Sequence, residues 1–466
     1  MDVLLIDPPY YSLKGVSTDC GYNVGLTSLA AYLRSHGIET AVLSGDLLTE
    51  LPGKEWDTYD LEVYASAHHE YAKIVNDKNY DIWKKISDIV KSSNPRLVGI
   101  TYYTPLKNVV ERIAGLVKEI DPAMKVAVGA FHPTYCTEEV MSNPDIDFAV
   151  RGEGEIPLLS LIREVKKDNP KWETVPSLHY RDKDGLVRKN NGIDLIENLD
   201  DLPFLARDLV INCDYDTYRD HCLTSARGCP YSCSFCGEKR LWGGKVRRRS
   251  IDNVIEEIKL INDSYNANFI DFMDGTFTFD RKYLTSFCNR LIDEKLNIKW
   301  RCTARYDNLD EDLLKLLKRA NCFGFFFGLE TGSDRMLKSI DKRITTQEIL
   351  KIDEMVYKYG FFSITSIILG IPGETKEDIE NTLGLMKQLK TPDLDVNSFI
   401  PLPGTVLYDS LEKEVRENID WRKVAMKSLD NYFLKTMSFE EFKGYLLEAY
   451  KIVNDSRGKN TIASNT

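Results

Sequence analysis

Along the first 160 residues, short continuous apolar runs alternate with stretches whose apolar residues recur every third or fourth position. DVLLID (2–7), TAVLS (40–44), LVGITYY (97–103), KVAVGA (125–130) and DFAVRG (147–152) are runs of strand length. Bounded by Pro, Gly or Asp, they predict buried strands. GLTSLAAYLRSHG carries helical spacing and stops at Gly37, and the same spacing recurs over 78–92, 107–120 and 156–167. Strands unbroken by polar residues, alternating with helices, predict an α/β domain with a doubly wound parallel sheet, Rossmann-like, over 1–167. The acidic, aromatic insertion 46–66 shows no period and is assigned no element.

The pattern breaks over 168–220. HYRDKDGLVRKN places a Lys-Asp-Gly turn between two short extended segments, which predicts a hairpin, and NLDDLPFLARDLV reads as a linker. Alternation then restarts and runs six times through 221–410. Strands are predicted at 222–226, 268–273, 298–303, 323–329, 361–369 and 394–400, with helices at 251–264, 280–295, 309–319, 346–359 and 375–389. Six strands are too few for a closed eight-fold barrel and suit an open, partial (β/α)6 barrel. The remainder, 411–466, reads as a small helical C-terminal region.

Polar and glycine-rich stretches gather at one end of these six strands. TSARGCPYSCSFCG follows the first, MDGTF (273–277) the second, and Arg305 ends the third. GLETGS (328–333), GIPGET (370–375) and PLPGT (401–405) follow the rest. All lie at C-terminal strand ends, the face on which barrel enzymes build their sites. Strand parity sets Gly324, Phe326, Gly328 and Glu330 toward the lumen and Phe325, Phe327 and Leu329 toward the helices. Cys302, out of step with Arg301, Thr303 and Arg305, faces outward as a core residue.

Composition narrows the function. The chain has 466 residues, 43% hydrophobic and 29% charged, with a net charge of -11. An acidic balance argues against a general nucleic-acid surface. No apolar run reaches the ~18 residues of a membrane span, and MDVLLIDPPY is no signal peptide. Ten cysteines, seven of them scattered singly, are no disulfide scaffold and suit the reducing cytoplasm.

The other three, Cys229, Cys233 and Cys236, fall in one loop. A structural zinc site wants four ligands, and so does a closed iron–sulfur cluster. Three thiolates can hold three irons of a [4Fe–4S] cluster and leave the fourth open. The alternative is a zinc knuckle completed from a distance, for which His221 and Cys222 are nearest but sit on the strand leading in.

Cys229-x3-Cys233-x-Phe235-Cys236 resembles the CxxxCxΦC signature of the radical S-adenosylmethionine (SAM) superfamily, and the partial barrel with its polar strand ends resembles that family in order. The resemblance covers roughly 205–410. It implies that Cys229, Cys233 and Cys236 ligate a cluster whose open iron chelates SAM, from which a reducing electron generates a 5'-deoxyadenosyl radical. It implies that Phe235 packs near the adenine. Asp274 and Gly275 stand at the strand end whose main chain meets the methionine amino group, although Asp-Gly replaces the family's Gly-Glu. Arg305 and Glu330 match positions that meet the methionine carboxylate or the ribose. Alternatively they form a structural ion pair across strand ends. Gly370 and the Ile371-Pro372-Gly373 turn resemble the adenine-side motif. KVRRRS (245–250) could greet an anionic group, but the simpler reading is a solvated loop before a helix.

The N-terminal half resembles the cobalamin-binding domain of class B radical SAM enzymes. VAVGAFHPTYCTEEVM and DFAVRGEGEIPLLSLI are similar to that family's Gly-Gly-x-His-Pro-Thr and Arg-Gly-Glu-Gly-Glu stretches. The cobalt-ligating Asp-x-His-x-x-Gly motif is absent; after strand one the chain reads Asp7-Pro8-Pro9-Tyr10-Tyr11-Ser12. The resemblance therefore implies a base-off cobalamin with no protein histidine on cobalt. Tyr10, Tyr102, Gly129, Ala130 and His132 are the candidates to line it.

The expected activity is a cobalamin-dependent radical SAM methyltransferase acting on an unactivated carbon or phosphorus of a small molecule. The alternative keeps both cofactors and performs a cyclisation or ring rearrangement. A methylthiotransferase would need a second cysteine trio near the N-terminus, where only Cys20 and Cys136 occur. A non-enzymatic metal module is the remaining class. A reducing partner such as flavodoxin or ferredoxin is implied.

Overall fold

The computed structural model describes residues 1–10, 22–48, 73–192, 195–215, 220–390, 393–421, 423–428 and 430–463. Ser12, Cys20 and most of the 46–66 insertion lie outside them. The chain divides into two compact units, the first built mainly from the N-terminal 218 residues and the second from the rest.

In the first unit, β1 (Val3–Asp7), β2 (Thr40–Ser44), β3 (Leu97–Thr101), β4 (Lys125–Gly129) and β5 (Phe148–Val150) form a parallel sheet in the order β2-β1-β3-β4-β5. β1 through β3 are buried along almost their whole length, as apolar runs covered on both faces require. One layer packs Trp83, Ile86, Val110 and Ile113 against the sheet, and the other packs Leu26, Ala30, Leu158 and Ile162. The chain crosses from one side of β1 to the other between β2 and β3, so the switch point of this doubly wound fold lies between the ends of β1 and β3.

The hairpin expected as part of a connecting piece instead extends this sheet. β6 (Leu178–Arg181) pairs antiparallel with β5, and β7 (Val187–Lys189) pairs antiparallel with β6. The alternating pattern of His179 and Tyr180 could not reveal which edge the hairpin would join.

The second unit is a partial barrel of six parallel strands in sequential order. These are β8 (Asp220–Leu223), β11 (Phe269–Phe272), β12 (Lys299–Ala304), β13 (Cys322–Glu330), β14 (Phe362–Leu369) and β15 (Asp393–Ser398). The parity expectation holds: Phe325, Phe327, Leu329 and Cys302 are buried against the outer layer, whereas Phe326 is 36% exposed. A register shift between Gly328 and Glu330 marks a bulge.

Two expectations fail. The described residues between 418 and 438, expected to be helical, are irregular, and the C-terminal helix runs from Phe439 to Ala463. It packs beside β15, with the Tyr450 hydroxyl donating to the Val396 carbonyl at 3.0 Å. KVRRRS is not a solvated loop. β9 (Ala226–Arg227) and β10 (Arg247–Arg248) pair antiparallel, and Arg247 is buried. The Arg248 guanidinium lies over the Phe279 and Tyr283 rings at 4.2 and 4.3 Å. Arg249 bonds the buried Glu257 and the Thr224 carbonyl. Aromatic rings hold Arg247 and Arg248, and a buried carboxylate holds Arg249.

Candidate functional site

The three-cysteine loop leaves β9 through Gly228, whose φ of +100° only glycine adopts readily; a Cβ there would meet the Lys245 carbonyl oxygen at 2.1 Å. Its far side is pinned by Ser234 N–H to the Ile340 carbonyl and Leu407 N–H to the Ser234 carbonyl, at 3.0 and 2.9 Å. Cys229 is buried, its Sγ 3.5 Å from Thr276 Oγ1. Gly275 presses on it closely, since a Cβ would meet Cys229 Cβ and Glu238 Oε2 at 3.3 Å.

The thiols stand in one loop, yet the trio of donors that closes within 4.8 Å among the described residues lies elsewhere. A single tetrahedral zinc would draw three thiolates to within about 3.8 Å of one another. A cluster holds each on a different iron and needs no such closure. The loop fits a cluster.

Phe235 joins Met336, Ile340, Ile371 and Phe399 in an apolar patch, which places it against the loop after β14. That loop starts at Gly370, with φ +86° and the Phe442 ring 2.8 Å from where a Cβ would stand. Glu374 lies entirely buried beneath it and accepts from Gly370 N–H at 2.7 Å. Burial pushes its carboxyl up to about 8.

Glu330 ends β13 with φ +71°. Its partner is Lys342, not Arg305: Nζ lies 2.7 Å from Glu330 Oε1, and both side chains are buried. Gly328 makes room for the pair, since a Cβ there would come within 2.9 Å of Lys342 Nζ. Lys342 escaped sequence reasoning, although a carboxylate at an inward strand end demands a cation.

Arg305 does not stand free for a substrate carboxylate. Its Nε and Nη2 donate to Asp307 at 2.9 Å each, Nη2 also donates to the Lys342 carbonyl at 2.5 Å, and the guanidinium stacks 3.9 Å over Tyr231. The Nη1 nitrogen faces Cys233 Sγ at 3.9 Å. The Asp274 carboxylate is likewise committed. It accepts from Ser225 N–H and Oγ–H and from Ala226 N–H, tying β11 to the end of β8. Thr303 donates to its carbonyl. Burial raises its pKa to about 6 against these donors.

In the first unit, Asp7-Pro8-Pro9-Tyr10 and Tyr102-Tyr103-Thr104 flank the switch point. Asp7 is half-buried beside Asp46 and Asn23, and desolvation together with the Asp46 charge lifts its carboxyl to about 7. Tyr10 is half-buried, with its N–H bonded to Asp46 at 2.7 Å. Gly129 and Ala130 end β4 partly exposed, and Ala130 holds φ +84°, ψ -154°. Tyr102 and His132 are both fully buried, with their rings stacked at 4.6 Å.

Residues 223–386 match the Radical SAM superfamily, and residues 13–162 match the B12 binding domain. An uncharacterized methyltransferase of Pyrococcus horikoshii is 31% identical over 81% of this chain and 83% of its own. The chain belongs to the cobalamin-dependent radical SAM enzymes. An anaerobic magnesium-protoporphyrin IX monomethyl ester cyclase of Rubrivivax gelatinosus is 27% identical over 91% of this chain and 72% of its own. Among solved structures, the radical SAM methyltransferase TsrM of Kitasatospora setae, with cobalamin and a [4Fe–4S] cluster bound, superposes with a TM-score of 0.66. It is 17% identical and covers 87% of this chain and 74% of its own.

Proposed function

We propose that the protein is a cobalamin-dependent radical SAM methyltransferase acting on an unactivated carbon or phosphorus of a small molecule. The observation that carries this is one chain holding both an open-cornered cysteine loop in a partial barrel and a B12-type domain. The methyltransferase relative spans four-fifths of it. Cys229, Cys233 and Cys236 hold the cluster. Glu330, Lys342, Phe235, the Gly275 main chain and the Gly370 loop bind and orient SAM. The ends of β1, β3 and β4, with Tyr10, Gly129 and Ala130 at the surface and Tyr102 and His132 beneath, hold the corrin. The cluster and SAM supply a carbon radical, and the corrin supplies a methyl carrier. The residues bind, orient and exclude water.

The corrin is base-off with no protein histidine on cobalt. The loop after β1 offers Pro9 where a ligand would stand, and His132 is fully buried with Nδ1 3.1 Å from Thr104 Oγ1. A flavodoxin- or ferredoxin-type protein supplies electrons.

The test is anaerobic turnover with SAM and reductant. A methyltransferase must release S-adenosylhomocysteine, the form SAM takes on losing its methyl, alongside 5'-deoxyadenosine. 5'-Deoxyadenosine without S-adenosylhomocysteine would support the second reading, a cyclase or ring rearrangement, for which the 91% overlap with the cyclase speaks.

A further inference from the structure

Two short helices follow β4: Phe131–Tyr135 and Thr137–Ser142. They bring His132, Cys136 and Glu139 to one side, their donor atoms all within 4.8 Å of one another. We propose that these three residues form a site for a single divalent cation of the zinc type, separate from the three-cysteine loop.

His132 carries the argument. Its side chain is 0% exposed, and its Nε2 makes no hydrogen bond. The other ring nitrogen, Nδ1, lies 3.1 Å from Thr104 Oγ1. With Nδ1 protonated and donating to that hydroxyl, Nε2 presents its lone pair. This is how metal-binding histidines are held, by a hydrogen bond on the nitrogen away from the metal. The ring is further fixed by stacking on Tyr102 and by the edge of Trp421, 6.4 Å away.

What the lone pair faces is the second argument. Glu139 Oε2 lies 3.7 Å from Nε2. The two atoms face each other across a gap that no hydrogen bond fills, and a cation placed between them would bond to both. Two ligands of one tetrahedral zinc stand about 3.4 Å apart, given bonds of about 2.0–2.2 Å. The observed 3.7 Å needs little adjustment.

Glu139 is already divided between two tasks. Its Oε1 lies 3.0 Å from Lys107 Nζ, which also holds Glu111 at 2.6 Å. That anchors the carboxylate and leaves Oε2 for the metal. Cys136 adds a sulfur, and its thiol proton passes to solvent on binding. A nitrogen, a sulfur and an oxygen suit zinc better than the hard cations Mg²⁺ and Ca²⁺, which prefer oxygen alone. The Glu139 side chain is 41% exposed, so the ion has an entry path and water can fill the fourth corner. Bound there, it would tie the two short helices after β4 to each other.

The experiment uses the full-length holoenzyme with cluster and corrin in place, dialysed anaerobically against micromolar free zinc, with zinc and iron counted. Wild type should retain one zinc that Cys136→Ser loses, with iron unchanged in both. Glu139→Gln, at a partly exposed position that folding tolerates, should weaken zinc binding at least tenfold. Cys213→Ser, a control thiol in the same unit, should retain the zinc. X-ray absorption at the zinc edge should show one sulfur at about 2.3 Å with nitrogen and oxygen at about 2.0–2.2 Å. Equal zinc in wild type and Cys136→Ser, or a shell of three or more sulfurs from a displaced cluster, would overturn the proposal.

Discussion

Arg305 and Lys342 set positive charge beside Cys233 without being its ligands. A cation near a thiolate favours the electron-rich state of whatever the thiolate binds. Arg305→Met should keep the iron and move the cluster's midpoint potential downward. About 40 mV corresponds to 1 kcal/mol for one electron, and potentiometry followed by electron paramagnetic resonance reads the shift. Glu330 answers to a different measurement. Glu330→Ala should keep the cluster and weaken SAM binding by about 1–3 kcal/mol, the worth of a lost charged hydrogen bond; equilibrium dialysis with labelled SAM checks it. Ala130 sits in backbone space that glycine enters freely and alanine does not. Ala130→Gly should raise the thermal midpoint, gaining on the order of 1 kcal/mol after glycine's entropic cost. That Gly328 and Glu330 share a side agrees with the parity reading even across the bulge at Leu329, since a Cβ at Gly328 would meet the Glu330 carboxylate at 2.2 Å. The partners of Glu330 and Arg305 did not follow. Lys342 and Asp307 come from the segments after β13 and β12, and no local period reports which cation a carboxylate will meet.

At the scale of an element, the Gly370–Thr375 loop depends on a buried acid. The Glu374 carboxyl has its folded pKa raised from 4.5 to about 8. The folded state therefore holds a proton that the unfolded chain releases, and the stability this gives is complete below pH 4.5. It is lost as pH climbs toward 8. Glu374→Gln cannot ionise and should flatten that part of the profile, becoming the more stable form by a few kcal/mol at most above pH 8. Thermal unfolding of both proteins from pH 5 to 9 measures the difference, and the shared contributions of Asp7 and Asp274 cancel. Helices and strands were legible because long amphipathic stretches state their period. The region 418–438 was misread because its apolar residues follow no ladder of their own; Asn431 instead bonds the Ala425 carbonyl and Ser398 N–H meets the Met426 carbonyl.

At the scale of the whole molecule, two cofactor systems share one chain. Replacing Cys229, Cys233 and Cys236 together by alanine should abolish the broad visible absorbance of the cluster and all SAM cleavage. Corrin bound by the other unit should remain, as pyridine extraction and absorbance would show. The Co(II) form should display no nitrogen superhyperfine triplet, and a triplet would place an imidazole or benzimidazole on cobalt. Both halves were legible from glycine-rich strand ends, whereas the hairpin's attachment to the first sheet was not. That attachment has its own consequence. An open sheet offers unpaired N–H and C=O groups on which a neighbouring chain can grow a strand. Here the β5 side is extended by two strands that end in the exposed Arg188 and Lys189, and the β2 side is met by a bridge from Val42 to Val210. Chains newly made and still waiting for iron and corrin therefore present charged or occupied rims to one another. They should stay dispersed when concentrated, and uncharged replacements at 188 and 189 should send the empty protein toward fibrillar aggregates first.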